Sequence, residues 1–175
     1  DGADNDGDGQ VDEGPTNCFT AIYRWRETST SAFAWGTSDA SPPSIVQPGN
    51  WVRDREEFII SNTNYSGTQA LFLCGTGLDH LLVTNTGPAV QAGYNCNTVL
   101  GAVWPLGSAP SGTPFGPPSS TWRFGGQNTG GGVRHLFTDG GDSLTGFSCE
   151  GAQFGVLSHG FSTTFTNNPG GGSCP

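Results

Sequence analysis

Apolar residues occur along this chain in short runs rich in aromatic and β-branched side chains, separated by clusters of Gly, Pro, Asn and Ser. No stretch repeats its apolar positions with the 3.6-residue period of a helix, so strands are the expected element. Only residues 88–93, which follow a break at Thr86 and Gly87, suit a short helix. The pattern predicts an all-β domain.

The apolar runs form three sets that begin alike, which indicates an internal repeat. The opening runs are centred on Tyr23, Phe72 and Trp122, which lie about 50 residues apart. A second run and then a closing run follow each opening run, the closing runs being 57–61, 100–104 and 154–158. We place the repeats at about residues 20–61, 69–104 and 120–158, and we expect the three central aromatic residues to be core.

One repeat of three or four short strands cannot bury its apolar residues alone, so the three copies are expected to share one core. Closure around a pseudo-threefold axis would also remove exposed strand edges. The first expectation is therefore a β-trefoil-like closed domain over residues 18–175, with a Gly-rich C-terminal tail. A small β-propeller or a β-sandwich is the alternative.

Residues 1–17 form an Asp-rich segment with the spacing of a calcium loop. Alternate carboxylates converge on one point, Gly9 permits the sharp turn, and the residue after it donates a backbone carbonyl. Pro15 stands where an EF-hand needs a bidentate Glu, so the loop is incomplete as an EF-hand. A solvated acidic tail is the competing interpretation. The predicted Ca²⁺ ligands are Asp4, Asp6, Asp8, Gln10, Asp12 and Glu13.

The formal net charge of −9 is concentrated in this segment, since residues 1–13 carry no basic side chain. The rest is nearly neutral and has no basic stripe, which excludes nucleic acid as a partner. No apolar run reaches the length of a membrane span. Five cysteines without a Cys-x-x-Cys spacing favour disulfides in an oxidising compartment. We therefore expect a secreted or cell-surface protein whose signal peptide lies upstream.

A glycan site needs a flat aromatic side chain beside carboxylate, amide or guanidinium groups that bind hydroxyls, and turns between strands are where these cluster. Backbone capping by the histidines is the structural alternative. The candidate ligand-binding residues are Trp35, Asp79, His80, Arg134 and His135.

One motif suggests catalysis, because residues 141–144 spell Gly-Asp-Ser-Leu, the signature of an esterase nucleophile. That chemistry needs an α/β fold and a downstream Asp-x-x-His. The residues after Leu144 contain His159 and no Asp. We interpret the motif as a turn between strands and expect no enzymatic activity.

Residues 1–14 resemble the Asp-Gly-x-Asp-Asn-Asp-Cys-Asp-Gly-x-x-Asp-Glu element of secreted bacterial surface proteins, and also thrombospondin type 3 and dockerin loops. The resemblance implies metal binding. Gly7 replaces the Cys of the bacterial element, so the disulfide that would anchor the loop is missing, and Cys18 is a candidate for its orphaned partner.

The repeats resemble secreted bacterial domains built on x-Leu-Tyr-Arg-Tyr/Cys, Asp-His-Phe-x-Thr and Glu-Gly-x-x-Gly-Tyr. Copy two carries Leu71-Phe-Leu-Cys and Asp79-His-Leu-Leu-Val-Thr, and copy three carries Trp122-Arg-Phe and Cys149-Glu-Gly. The resemblance implies binding of glycans and a disulfide between Cys74 and Cys96. Cys149 is then expected to pair with Cys174, although a bridge between Cys18 and Cys174 is a close alternative.

Taken together, these features predict a secreted, calcium-stabilised, non-catalytic binding module of lectin-like function. The alternative is a structural subunit that self-associates into an extracellular filament or surface assembly.

Overall fold

A computed structural model describes residues 19–62, 67–109, 118–127, 132–138 and 147–158. Within these ranges nine strands form one antiparallel sheet and one short helix is present, so the prediction of an all-β domain is confirmed. The Asp-rich segment, Cys18, Cys174 and residues 141–144 lie outside the described residues. The elements are β1 (Phe19–Glu27), β2 (Phe33–Gly36), β3 (Trp51–Ser61), β4 (Gln69–Thr76), β5 (Asp79–Val83), α1 (Thr86–Gln91), β6 (Asn95–Val103), β7 (Pro118–Gln127), β8 (Val133–Thr138) and β9 (Phe147–Ser158).

One strand triplet falls within each predicted repeat, and we call β1–β3, β4–β6 and β7–β9 units one, two and three. In every unit the opening strand lies in the middle, pairing with the second strand on one side and the closing strand on the other. The closing strands begin upstream of the apolar runs that predicted them. Their first halves are largely polar, and backbone pairing in a ladder does not require apolar side chains.

The three closing strands also pair with one another, over short stretches. β3 meets β6 at Ser61 and Ala102, and it meets β9 where Ile59 lies opposite Leu157. β6 and β9 approach through an isolated bridge that joins Trp104, the residue after β6, to β9. Each unit therefore contacts both of the others through its closing strand.

A β-bulge or similar irregularity recurs at the same place in all three units. The register between opening and closing strand shifts directly before Tyr23, Phe72 and Trp122. This matches the spacing of about 50 residues that the sequence shows. The repeat is thus present in the backbone pairing as well as in the side chains.

A second register shift follows in each unit, and a cross-strand link lies beside it. In unit one Arg24 Nη2 lies 2.6 Å from Asp54 Oδ2. In unit three Arg123 Nε lies 2.7 Å from Glu150 Oε2. Unit two carries the disulfide between Cys74 and Cys96 at the corresponding place.

The main core lies where the closing strands meet the opening strands. Phe58 and Phe154 occupy corresponding places in units one and three, opposite Ile22 and Thr121, and their rings contact edge to face at 6.2 Å. Unit two has Gly101 at this place, and a Cβ there would stand 2.5 Å from the Ser61 carbonyl oxygen. The close approach of β3 and β6 therefore depends on glycine.

The predicted disulfide is present, since Cys74 Sγ lies 2.05 Å from Cys96 Sγ and joins β4 to β6. Cys149, which was expected to pair with Cys174, has a free thiol and lies exposed on β9. The other described cysteines, Cys74 and Cys96, are joined to each other and leave no partner for it within the described residues.

The short helix α1 forms two residues earlier than predicted. Asn85 caps it, because its side-chain oxygen accepts a hydrogen bond from Gly87 N at 3.0 Å. Pro88 is tolerated in the first turn, where a backbone N–H has no partner within the helix. Within the described residues, no helix is long and apolar enough to cross a bilayer.

A buried carboxylate holds the turn that follows β1. Oε2 of Glu27 accepts hydrogen bonds from the backbone and hydroxyl groups of Ser29 and Thr30, at 2.7 to 2.9 Å. Oε1 accepts from Asn50 N at 3.1 Å, just before β3. These bonds, led by those from Ser29 and Thr30, lower the pKa of Glu27 from 4.5 to about 2.

Replacing Glu27 by Gln should lower the free energy of unfolding at neutral pH by about 1.5–3 kcal/mol, because charge-assisted hydrogen bonds are lost. Folding lowers this pKa, so the stabilisation is complete above pH 4.5 and is lost as the pH falls toward 2. Urea unfolding over that range should show the two proteins converging in acid. The exposed Asp39→Asn serves as a control, and a Glu27→Gln deficit that is independent of pH would contradict this account.

Removing the disulfide with Cys74→Ser should cost roughly 2–5 kcal/mol of stability. The matched variant Cys149→Ser removes an exposed free thiol and should stay within about 0.5 kcal/mol of the parent. Thermal unfolding under non-reducing conditions measures both. If Cys74→Ser lost no more stability than Cys149→Ser, the disulfide between Cys74 and Cys96 would not stabilise the fold.

Candidate functional site

Polar side chains of units two and three meet where β5 lies beside β8. Asp79 at the start of β5 accepts a hydrogen bond from the hydroxyl of Tyr94, and its Oδ1 lies 2.9 Å from His135 Nδ1. The Asp79 side chain is almost fully buried, and that of His135 is only slightly exposed. Asp79 and His135, two of the predicted site residues, are thus brought together across the junction.

The cluster continues from His135 toward the surface. His135 Nε2 lies 3.5 Å from Glu150 Oε2, and the same oxygen pairs with Arg123 Nε at 2.7 Å. Glu150 lies against Gly125, where a Cβ would collide with its carboxylate. We call Asp79, Tyr94, His135, Glu150 and Arg123 the junction network. It links the buried Asp79 to an Arg side chain that is about one-third exposed.

The partly buried position of Tyr94 beside Asp79 keeps its hydroxyl group protonated. Burial raises the pKa of the Tyr94 phenol most, and the hydrogen bond and negative charge of Asp79 raise it further. Tyr94 therefore remains a neutral hydrogen-bond donor to Asp79 at any physiological pH.

His80 and Arg134, also predicted site residues, hold the hairpin between β1 and β2. His80 Nδ1 lies 2.9 Å from the Phe33 carbonyl oxygen, and burial lowers the pKa of the His80 imidazole. Arg134 Nη1 donates to the Ser31 carbonyl at 2.9 Å, and its guanidinium lies 4.4 Å from the centre of the Phe147 ring. Burial lowers the pKa of Arg134 as well. Both side chains act on the backbone of unit one, which is the structural alternative that the sequence left open for His80.

Trp35 was predicted as an exposed aromatic residue for sugar stacking, and this is wrong. Its side chain is fully buried and packs edge to face on Phe137, with ring centres 5.2 Å apart. Trp35 lies within strand β2 and not in a turn, and both Trp35 and the preceding Ala34 are buried. It belongs to the core.

The opposite correction applies to the aromatic residues of the opening strands, which were expected to be core. Tyr23 and Phe72 are only partly buried, and Trp122 is 41% exposed. The residue skipped at each register shift lies on the closing strand, so the opening strand keeps its alternation of faces. The residue before each aromatic therefore points to the opposite face, and that face is the buried one. The fully buried residues at this place are Ile22, Leu71 and Thr121.

A cleft of about 350 Å³ opens beside the junction network, between unit two and unit three. The turn after β5 and the start of α1 form one wall, and β7 and β9 form the other. Its apolar surface includes Leu82, Pro88 and Phe154. Its polar lining is formed by Thr84, Asn85, Arg123 and Gln153. The size lies at the lower end of ligand pockets, roughly 300–1,000 Å³.

Sequence reasoning missed Tyr94, Arg123 and Glu150, although each lies in a motif that marked the repeats. Tyr94 lies in the segment Gly-Tyr-Asn-Cys, Arg123 follows Trp122, and Glu150 follows Cys149. A search for charged residues inside the repeat motifs would have found two of the three. Their contact depends on how two units pack, which a motif within one unit does not specify.

Among the described residues, no three His, Cys, Asp or Glu side chains form a group that could hold a metal ion. The predicted calcium ligands Asp4, Asp6, Asp8, Gln10, Asp12 and Glu13 all lie outside those residues. Calcium binding by the Asp-rich segment stays a prediction.

No family model, curated protein or solved structure matches this chain. The function is therefore argued from the geometry of the junction between units two and three.

Replacing Asp79 by Asn should destabilise the protein by about 2–4 kcal/mol, because it weakens the buried pairing with Tyr94 and His135. It should also lower the pKa of Tyr94, which a spectroscopic titration of tyrosinate measures against a Tyr94→Phe reference. The control is Asp54→Asn. Its partner Arg24 still has Glu57 at 3.2 Å, so this variant should lose less than about 1 kcal/mol of stability. If Asp79→Asn behaved like this control, the network would have no structural role.

Proposed function

We propose that this chain is a secreted, calcium-stabilised, non-catalytic binding module whose ligand is a carbohydrate. Its three units are arranged around a common pseudo-threefold axis in a trefoil-like body. The pairwise contacts among β3, β6 and β9 support that arrangement. The disulfide between Cys74 and Cys96 supports an oxidising, extracellular location.

The observation that carries the proposal is the cleft between units two and three. A sugar ring has apolar C–H faces and a rim of hydroxyls, so its site needs an apolar surface with hydrogen-bonding groups around it. Pro88 and Ala92 offer the exposed apolar surface, while Asn85 and Gln153 offer amide groups that can both donate and accept. Arg123 adds a guanidinium on the same wall.

The junction network favours binding over catalysis. A general acid or base must reach a substrate proton with its own lone pair or N–H. The Asp79 carboxylate is buried and engaged by Tyr94 and His135, and His135 is held between Asp79 and Glu150. These groups are arranged to position Arg123, not to exchange protons with a ligand in the cleft.

The Asp-rich segment has a structural role in this proposal. Its carboxylates repel one another without a cation, and calcium would draw them into a compact loop before β1. The ligand site lies in units two and three, far along the chain from this loop, so calcium is expected to affect stability more than affinity.

A glycan array probed with the whole protein, in calcium and then in a chelator, tests the function. The cleft is tested by Gln153→Ala, which should lower the affinity for the glycan by roughly tenfold, the cost of about one hydrogen bond. The matched control is the exposed Gln69→Ala on β4, which should bind as the parent does. Binding that survives Gln153→Ala and Asn85→Ala together would move the site elsewhere, and absence of any bound glycan would refute the function.

A second candidate is the structural subunit of a filament or surface assembly. Exposed apolar side chains at Val99 and Val133, together with the free thiol of Cys149, are the features that favour it. Concentration-dependent filaments in electron micrographs, lost in a Val99→Ser variant, would support this candidate.

A further inference from the structure

The charge of the cleft lining differs from that of the chain. The protein has 15 acidic and 6 basic side chains, counted without His. The residues that line the cleft include one Arg and, among the described residues, no Asp or Glu. The charged side chain among these lining residues is therefore the Arg123 guanidinium, which Glu150 partly neutralises.

The position of Arg123 suits a carboxylate. Within the described part of the chain, Arg123 is paired through Nε with Glu150. A guanidinium carries five N–H donors, so the donors on its two Nη atoms can still form the parallel pair of bonds that a carboxylate accepts. Glu150 also restrains the side chain, which reduces the entropy lost when a ligand binds.

A carboxylate fits better here than a phosphate. Arg123 and Glu150 together are neutral, so the wall offers a directed pair of donors without a large excess of positive charge. A dianionic phosphate needs more positive charge than one partly neutralised Arg supplies. A monoanion with a flat, two-oxygen face matches the site.

We propose that the cleft selects an acidic saccharide, with the carboxylate of a uronic acid bound by Arg123 and its ring lying against Pro88 and Ala92. This inference rests on the proposed carbohydrate-binding function and names its ligand class. Arg123 is the specificity-determining residue, and Glu150 is the residue that positions it.

Calorimetric titration with uronic acid oligosaccharides, their methyl esters and a sugar phosphate tests the inference. The panel comprises oligomers of galacturonic, glucuronic, mannuronic and guluronic acid. The acid form of at least one oligomer should bind about tenfold tighter than its ester, the value of one charge-assisted pair of bonds. The preference should decline as salt is added, since the pair is partly exposed. The sugar phosphate should bind more weakly than the acid.

Variants separate Arg123 from the rest of the cleft. Arg123→Gln should reduce affinity for the acid by about tenfold and affinity for the ester by a smaller factor, so that the preference for the acid is lost, and Arg123→Lys should fall between. The control Arg53→Gln removes an exposed Arg paired with Asp39 and should change neither affinity. Glu150→Gln keeps a side-chain oxygen that can accept from Arg123 and position it, but removes the competing negative charge, so acid binding should strengthen several-fold, a gain that misfolding cannot produce.

The outcomes distinguish the acidic ligand class from the proposed carbohydrate binding on which it rests. If the ester binds as tightly as the acid, or if Arg123→Gln leaves the preference intact, the acidic ligand class is wrong while carbohydrate binding stands. If the phosphate binds tightest, the site selects phosphate and the inference is overturned. If no oligosaccharide on the array or in this panel binds, both proposals fail.

Discussion

The antiparallel pairing of each opening strand with its closing strand is the interaction on which the rest of the structure depends. Because side chains alternate between faces, a slip of one residue would exchange the buried and exposed sets. All three units have register shifts at the same two places. Ile22, Leu71 and Thr121 lie directly before the first shift and are fully buried. The second lies beside a cross-strand ion pair or the disulfide, which opposes such a slip.

The three units keep one backbone plan but have diverged in chemistry. Phe33, His80 and His135 occupy the same register position, opposite Arg26, Gly75 and Gly125. In unit one the Phe33 ring packs on Phe147, in unit two His80 holds a backbone carbonyl, and in unit three His135 joins the junction network. One position thus serves packing, capping and electrostatics in turn, because each unit faces a different neighbour.

Much of this fold could be predicted from the sequence, and the failures share one cause. The strand triplets follow from local patterns of apolar residues. The Cys74–Cys96 bridge is implied by the resemblance to secreted bacterial repeat domains. The burial of Trp35 and the exposure of Trp122 do not follow from such patterns, because which face of a strand is buried depends on how the units pack together. Asp79 and His135 were both named as site candidates from the sequence, but their contact arises from packing between units. The cleft has the same origin and leaves no signal within a single repeat.

The ion pair between Arg123 and Glu150 has two consequences that act against each other. As a cross-strand link beside a register shift, it helps to fix how β7 pairs with β9. As a partner for Arg123, Glu150 competes with any anion that enters the cleft. Ion pairs of this kind add little stability but oppose alternative pairings, since a slip would leave charges unmatched. If the cleft binds an acidic ligand as proposed, a stronger ion pair with Glu150 would define the strand register better and would bind that ligand less tightly, so the partial exposure of the pair would balance the two demands.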